Sequence, residues 1–263
     1  MVIFTKTKDA IIVWQGKTCY TICRHISPDI NLDTWRIYSG DINGVTVFRG
    51  TDIEGPIKQV GTTDFISGCH GDERYKSVTI LVDGIQIEEN DVVAHRKAEN
   101  VTVYVESVVF FCDNANSVAF ERYKKLEFIE KKLIISNKWK YVGGRAFHVD
   151  CFTGCGLYSV YKDLLSGYST DQDCRLINDR GTKQNKHIEE VQFYGKGFVI
   201  TLRLLSGKGE HYAGSVADFA SEERPRFKAY LLCVSSALNN FIMNSNDELN
   251  VSFEIEICCN KLY

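Results

Sequence analysis

The stretch Asn100-Val101-Thr102-Val103-Tyr104-Val105-Glu106-Ser107-Val108-Val109-Phe110-Phe111 decides the fold. β-Branched and aromatic side chains fill it, and these fit a pleated surface while losing rotamer freedom in a helix. Its front alternates apolar and polar, so one face is wet. Its end is apolar throughout, so both faces are covered there. Upstream, Ser77-Val78-Thr79-Ile80-Leu81-Val82 reads as a strand that ends at Asp83-Gly84, a hairpin signal, and Ile85-Gln86-Ile87 continues on the far side. Downstream, Phe120, Arg122, Lys124, Leu126 and Phe128 share one face of residues 119–129, and Glu121, Tyr123, Lys125 and Glu127 share the other. Glu130-Lys131-Lys132 then turns the chain into 133–141. Helical periodicity competes over 119–130, but the aromatic content and the strand-like partner after it favour β.

The same pattern recurs along the chain. Further strands are expected at 10–14, 18–23, 35–39, 45–49, 189–194, 197–205, 227–234 and 248–258. Residues 151–167 read as the most helix-tolerant or irregular part, and 170–186 as a polar loop. No repeat, low-complexity tract or domain linker appears. More than ten short strands separated by turn signals predict an all-β chain. The expectation is one domain over 1–263, an antiparallel β-sandwich of jelly-roll type, with the strands of 1–60 packed on the same core.

Composition narrows the function classes. Of 263 residues, 44% are hydrophobic and 25% charged, and the net charge of −3 gives no bulk attraction to nucleic acid or an anionic membrane. No run approaches the roughly 18 apolar residues of a spanning helix. The start, Met1-Val2-Ile3-Phe4-Thr5-Lys6, lacks the pattern of a secretory signal, so synthesis in the cytoplasm is expected. The ten cysteines include no Cys-x-x-Cys pair, only the Cys-x₃-Cys spacings Cys19/Cys23 and Cys151/Cys155. They read as reduced, mostly buried thiols acting as small apolar side chains. No cofactor is expected.

Chemistry concentrates at Ser67-Gly68-Cys69-His70-Gly71-Asp72-Glu73-Arg74. Two glycines flank the histidine and allow positive φ and close approach of another group. Three readings stay open. In the first, His70 and Glu73 are zinc ligands: the segment resembles the start of the M14-type carboxypeptidase metal site. That family also needs a third ligand, such as His148 or His211, and an α/β scaffold that the following hairpin does not offer. In the second, His70 does acid/base work on an acidic sugar polymer, because a histidine titrates near working pH. Catalytic candidates are then His70, Glu73 as its orienter, His148 and Tyr158. Arg74, Arg122, Lys140, Tyr141, Arg145 and His211 are candidates for holding the substrate along an exposed aromatic and basic face. In the third, His70 and Glu73 lock the loop by bonding neighbouring backbone groups.

The order of features resembles a set of bacteriophage tail-associated proteins. The pieces are the loop Gly68 to Glu73, the strand and hairpin after it, the Tyr- and Phe-rich strand pair, and Phe152-Thr153-Gly154-Cys155-Gly156-Leu157-Tyr158. The resemblance covers about residues 35–165, and only the Gly-x-His-Gly-Asp-Glu core is sharp. It implies a jelly-roll carbohydrate-active protein, a glycan polymer as partner, possible homo-oligomers and association with a virion. A polysaccharide lyase acting by β-elimination and a non-catalytic glycan-binding or virion structural module are both compatible with it. The chain lacks the fibrous stem of a tail spike.

Overall fold

The structure, a computed structural model, describes residues 1–50, 53, 55–172, 174–176, 183–186, 188–207, 213–219, 224–235 and 241–259. Among these the only helical pieces are three-residue 3-10 turns. The chain opens as an antiparallel meander of β1 (Val2–Lys6), β2 (Ala10–Gln15), β3 (Thr18–Ser27), β4 (Leu32–Ile42) and β5 (Val45–Arg49). A short pair follows, β6 (Ile57–Gln59) and β7 (Phe65–Ile66). Next comes the hairpin β8 (Glu73–Val82) and β9 (Ile85–Ile87), turning at Asp83 and Gly84, both with positive φ. The strand β10 (Val93–Ala98) returns to β1. The central meander is β11 (Asn100–Phe111), β12 (Asn114–Ile129) and β13 (Lys132–Tyr141). After it come β14 (Phe147–Tyr161), β15 (Leu165–Thr170), β16 (Cys174–Leu176), β17 (Lys183–Lys186), β18 (Glu190–Gly195) and β19 (Phe198–Ser206). The described chain closes with β20 (Ala213–Phe219), β21 (Arg226–Ser235), β22 (Phe241–Met243) and β23 (Glu248–Cys259).

Hydrogen bonding sorts these strands into two runs. One reads β9-β8-β11-β12-β13-β23-β19-β18-β15-β16. The other reads β10-β1-β2-β3-β4-β5-β14-β21-β20-β17, with β6 and β22 also on β14. A short parallel contact, Leu32 to Glu73 and Asp33 to Arg74, ties β4 to β8. The runs pack face to face. Tyr20 of β3 meets Phe128 of β12 with ring centroids 5.7 Å apart, and Trp139 of β13 meets Phe152 of β14 at 5.0 Å. The Thr18 hydroxyl donates across the sandwich to the Ile257 carbonyl at 3.1 Å. One buried apolar cluster extends from Val2 to Ile257 and takes in the strands of 1–60. The chain is therefore an all-β, mostly antiparallel sandwich. It passes repeatedly between the two runs after its opening meander.

Some local expectations need correction. Residues 151–167 are regular: β14 and β15 are separated only by the 3-10 turn Lys162–Leu164. Glycine misled the reading, because it weakens a strand pattern on paper. At Gly154 a Cβ would lie 2.8 Å from Val251 Cγ2 and 2.9 Å from Leu232 Cδ2, so the glycine marks close packing within β14. The stretch 170–186 contains β16 and β17. The thiols of Cys19, Cys23, Cys69, Cys112, Cys151, Cys155, Cys258 and Cys259 are free, and of these Cys19 and Cys155 are buried. Burial, with Asp41 adding to it, pushes the Cys19 thiol up to about 12, and burial raises Cys155 too, so both behave as inert apolar groups.

Candidate functional site

The turn from Ser67 to Asp72 is held in a conformation few residues tolerate. Ser67, Gly68, Gly71 and Asp72 have φ of +75°, +63°, +97° and +52°. Gly71 is required there: a Cβ would lie 2.1 Å from the Ile30 carbonyl oxygen. The Ser67 N–H donates to the Gly71 carbonyl at 2.9 Å, the Asp72 N–H to the Ile30 carbonyl at 2.8 Å, and the Phe110 N–H to the Asp72 carbonyl at 2.7 Å. The loop is thus pinned to the turn before β4 and to the end of β11. Its side chains project from a fixed backbone.

This backbone sends Glu73 and His70 into different surroundings. Glu73 is 0% exposed. Its carboxylate accepts from the Gly68 N–H (2.8 Å) and from the hydroxyls of Ser107 (2.7 Å), Ser67 (3.2 Å) and Thr34 (3.4 Å). Arg122, also 0% exposed, donates to it at 2.9 Å and further bonds Ser67 and Asn137, each at 3.0 Å. The guanidinium lies 5.0 Å from the centre of the Trp139 ring. Burial alone would raise the Glu73 carboxyl. The charges of Arg122 and Lys124, the Gly68 N–H and the Ser107 hydroxyl outweigh it and hold the group down at about 2. Glu73 therefore locks the loop onto β4, β11, β12 and β13; of the third reading this gives the carboxylate's part, with the Gly68 N–H as its backbone partner and side chains as the rest.

His70 is half-buried and its ring lies 5.0 Å from that of Phe65. Both border an open pocket of roughly 490 Å³ together with Asp29, Asn31, Asp64 and Asp72. The Asn31 amide donates to Asp72 Oδ1 at 3.1 Å. Burial raises the Asp72 carboxyl above the usual carboxylate range; the Asn31 bond opposes this and Asp64 adds to it. No Lys or Arg is among the described residues lining the pocket. Lys58 lies 5.9 Å over the Phe65 ring and is paired with Asp150 at 3.1 Å.

The basic face expected from the sequence is not assembled around His70. Arg122 and Tyr141 are fully buried, which corrects their reading as groove residues. The Tyr141 ring packs 5.2 Å from Phe120 and 5.5 Å from Phe147, and its hydroxyl donates to the Arg145 carbonyl. Arg145 is exposed, bonds Asp113 at 3.0 Å and borders a separate pocket. Lys140 is half-buried between Glu121 and Glu248 in the ladder. Arg74 is exposed, 5.7 Å over the Phe110 ring. His148 is an exposed residue of β14 facing Ile242 across the β22 ladder. None of these lines the His70 pocket. His211 and the side chain of Tyr158 lie outside the described residues. With Glu73 committed to Arg122, the His70/Glu73 metal pair is not assembled either. No group of three or more His, Cys, Asp or Glu among the described residues is placed to hold a metal ion.

Sequence reasoning missed Asp29, Asn31, Asp64, Phe65 and Asp72. Asp72 stood inside the motif, one residue from the glutamate that drew attention. Asp64 and Phe65 immediately precede the loop. Nothing local marks Asn31, which reaches the pocket through the Asp72 N–H bond to Ile30.

No protein-family model matches the chain, and no curated protein matches it in sequence. Solved structures do resemble it in fold. The chain aligns over 98% of its length with 41% of the GH36 alpha-galactosidase AgaB of Geobacillus stearothermophilus, at 8% identity and a TM-score of 0.60. It aligns over 92% of its length with 34% of a Glycoside Hydrolase Family 97 enzyme from Pseudoalteromonas sp. strain K8, at 9% identity and 0.57. It also aligns over 99% of its length with 96% of the Slr1438 protein from Synechocystis sp. PCC 6803, at 9% identity and 0.52. The chain thus spans about two fifths or less of the glycoside hydrolases it resembles. At these identities the likeness is one of fold.

Proposed function

We propose that this is a carbohydrate-active β-sandwich protein that binds an uncharged sugar residue in the His70 pocket. The observation that carries the reading is the pocket's make-up: Asp29, Asp64 and Asp72 with Asn31 and His70 around the Phe65 ring. Carboxylates accept hydrogen bonds from sugar hydroxyls, the amide and imidazole both donate and accept, and the ring offers an apolar face to the C–H side of a pyranose. The same acids repel a uronate carboxylate, and elimination on a uronate needs cations that neutralise it. The pocket therefore favours the glycan-binding alternative over a lyase for acidic polymers. The fold shared with domains of glycoside hydrolases supports a carbohydrate ligand. On the tail-protein resemblance, the sugar would come from a host-surface glycan.

A glycan array probed with the wild-type chain and with His70→Ala tests the proposal. Binding to neutral glycans, lost in the variant, is expected. Binding confined to acidic glycans, or binding unchanged by His70→Ala, would overturn it.

A further inference from the structure

Along the run that opens the chain, Ile3 of β1, Trp14 of β2 and His95 and Lys97 of β10 border a second concavity of roughly 340 Å³. Register explains their meeting: Ile3 of β1 sits opposite Trp14 of β2 on one side and Lys97 of β10 on the other. Side chains opposite one another in a ladder share a face. Ile3 and Trp14 are 38% and 36% exposed, unusual for such large apolar groups on neighbouring strands. Beside them the β1–β10 ladder is irregular. Phe4 pairs with Arg96 but Lys6 pairs with Val93, and His95, within that bulge, has φ +28°. Non-glycine residues seldom occupy that region, and bulges re-aim side chains at the edges of sheets. Thr5 Oγ1 lies 2.8 Å from His95 Nδ1, which fixes the exposed ring and leaves Nε2 as its second polar atom.

We propose that this concavity binds a carboxylate-bearing sugar residue, a uronic acid of a glycan. The Trp14 ring takes the C–H face of the pyranose, Ile3 covers its edge, and Lys97 and His95 Nε2 donate to the carboxylate. The charge is opposite to that of the His70 pocket: no acidic residue is among the described residues lining it. Of the acids along the same edge, Glu99 faces the Met1 ammonium at 3.8 Å. The two pockets would then read alternating neutral and acidic residues, or separate chains.

Trp14 reports on the site directly, since the other two tryptophans, Trp35 and Trp139, are 0% exposed. Tryptophan emission is followed while an oligogalacturonate, and then a neutral galactan oligosaccharide of equal length, is added. A saturable change is expected with the acidic sugar at a concentration about tenfold lower than with the neutral one. Lys97→Met should abolish that preference without altering the melting temperature, and Trp14→Phe should abolish the signal. His70→Ala should leave the response intact, which separates this site from the first. Equal responses to the two sugars, no response to the acidic one, or an undiminished preference in Lys97→Met would overturn the proposal.

Discussion

Asp72 and Glu73 are chain neighbours with opposite proton affinities, and the cause is the company each keeps. Burial without a cation raises Asp72, whereas Arg122 and Lys124 hold Glu73 down at about 2. Removing one partner of a buried pair leaves the other charge uncompensated, so Glu73→Gln should cost about 3 to 5 kcal/mol in urea unfolding. Because the folded carboxyl of Glu73 lies below its ordinary 4.5, its stabilisation is complete above that value and is lost as pH falls towards 2. Wild-type stability should decline across that window, and the decline should be shallower in Glu73→Gln. The sign reverses for Asp72, whose raised carboxyl is a liability once pH exceeds its ordinary 3.8. Asp72→Asn should therefore leave stability at neutral pH equal or higher, as thermal melts would register. The burial of Arg122 and Lys124 was legible: they share a strand face with Phe120, Leu126 and Phe128, and only an apolar interior accommodates that face. Reading Arg122 as exposed gave charge type more weight than register.

At the scale of elements, periodicity of two did most of the work. The strand β13 alternates half-buried and buried along its whole length, and the β8–β9 hairpin forms at Asp83-Gly84 as read. Among the strands that escaped were β1 and β10, short strands interrupted by lysines and a bulge, β14, whose glycines serve packing, and β16 and β17, within a stretch read as a polar loop. Loop geometry was only half legible. The two glycines announced positive φ, but not that Gly71 lies against the Ile30 carbonyl. Gly71→Ala should cost about 1 to 3 kcal/mol through this clash and its φ of +97°. It should also weaken pocket binding, because the Asp72 N–H bond to Ile30 joins the two walls; paired unfolding and binding titrations would show both effects.

At the scale of the molecule, the pocket joins residues 28–31, 63–65, 70–72 and 112–115, four segments brought together where β4 touches β8 in parallel. Sequence reading found one segment because only that one carries a motif; the other three become its neighbours only after the two runs of strands close on each other. The central claim is that the motif is divided, with Glu73 anchoring the loop and His70 and Asp72 facing the ligand. Calorimetric titration of the double variant His70→Ala, Asp72→Asn with a neutral oligosaccharide bound by the wild-type chain tests it most directly. A folded protein whose affinity has fallen at least about tenfold is predicted, equivalent to about 1.4 kcal/mol. Undiminished affinity in a folded double variant would contradict the account.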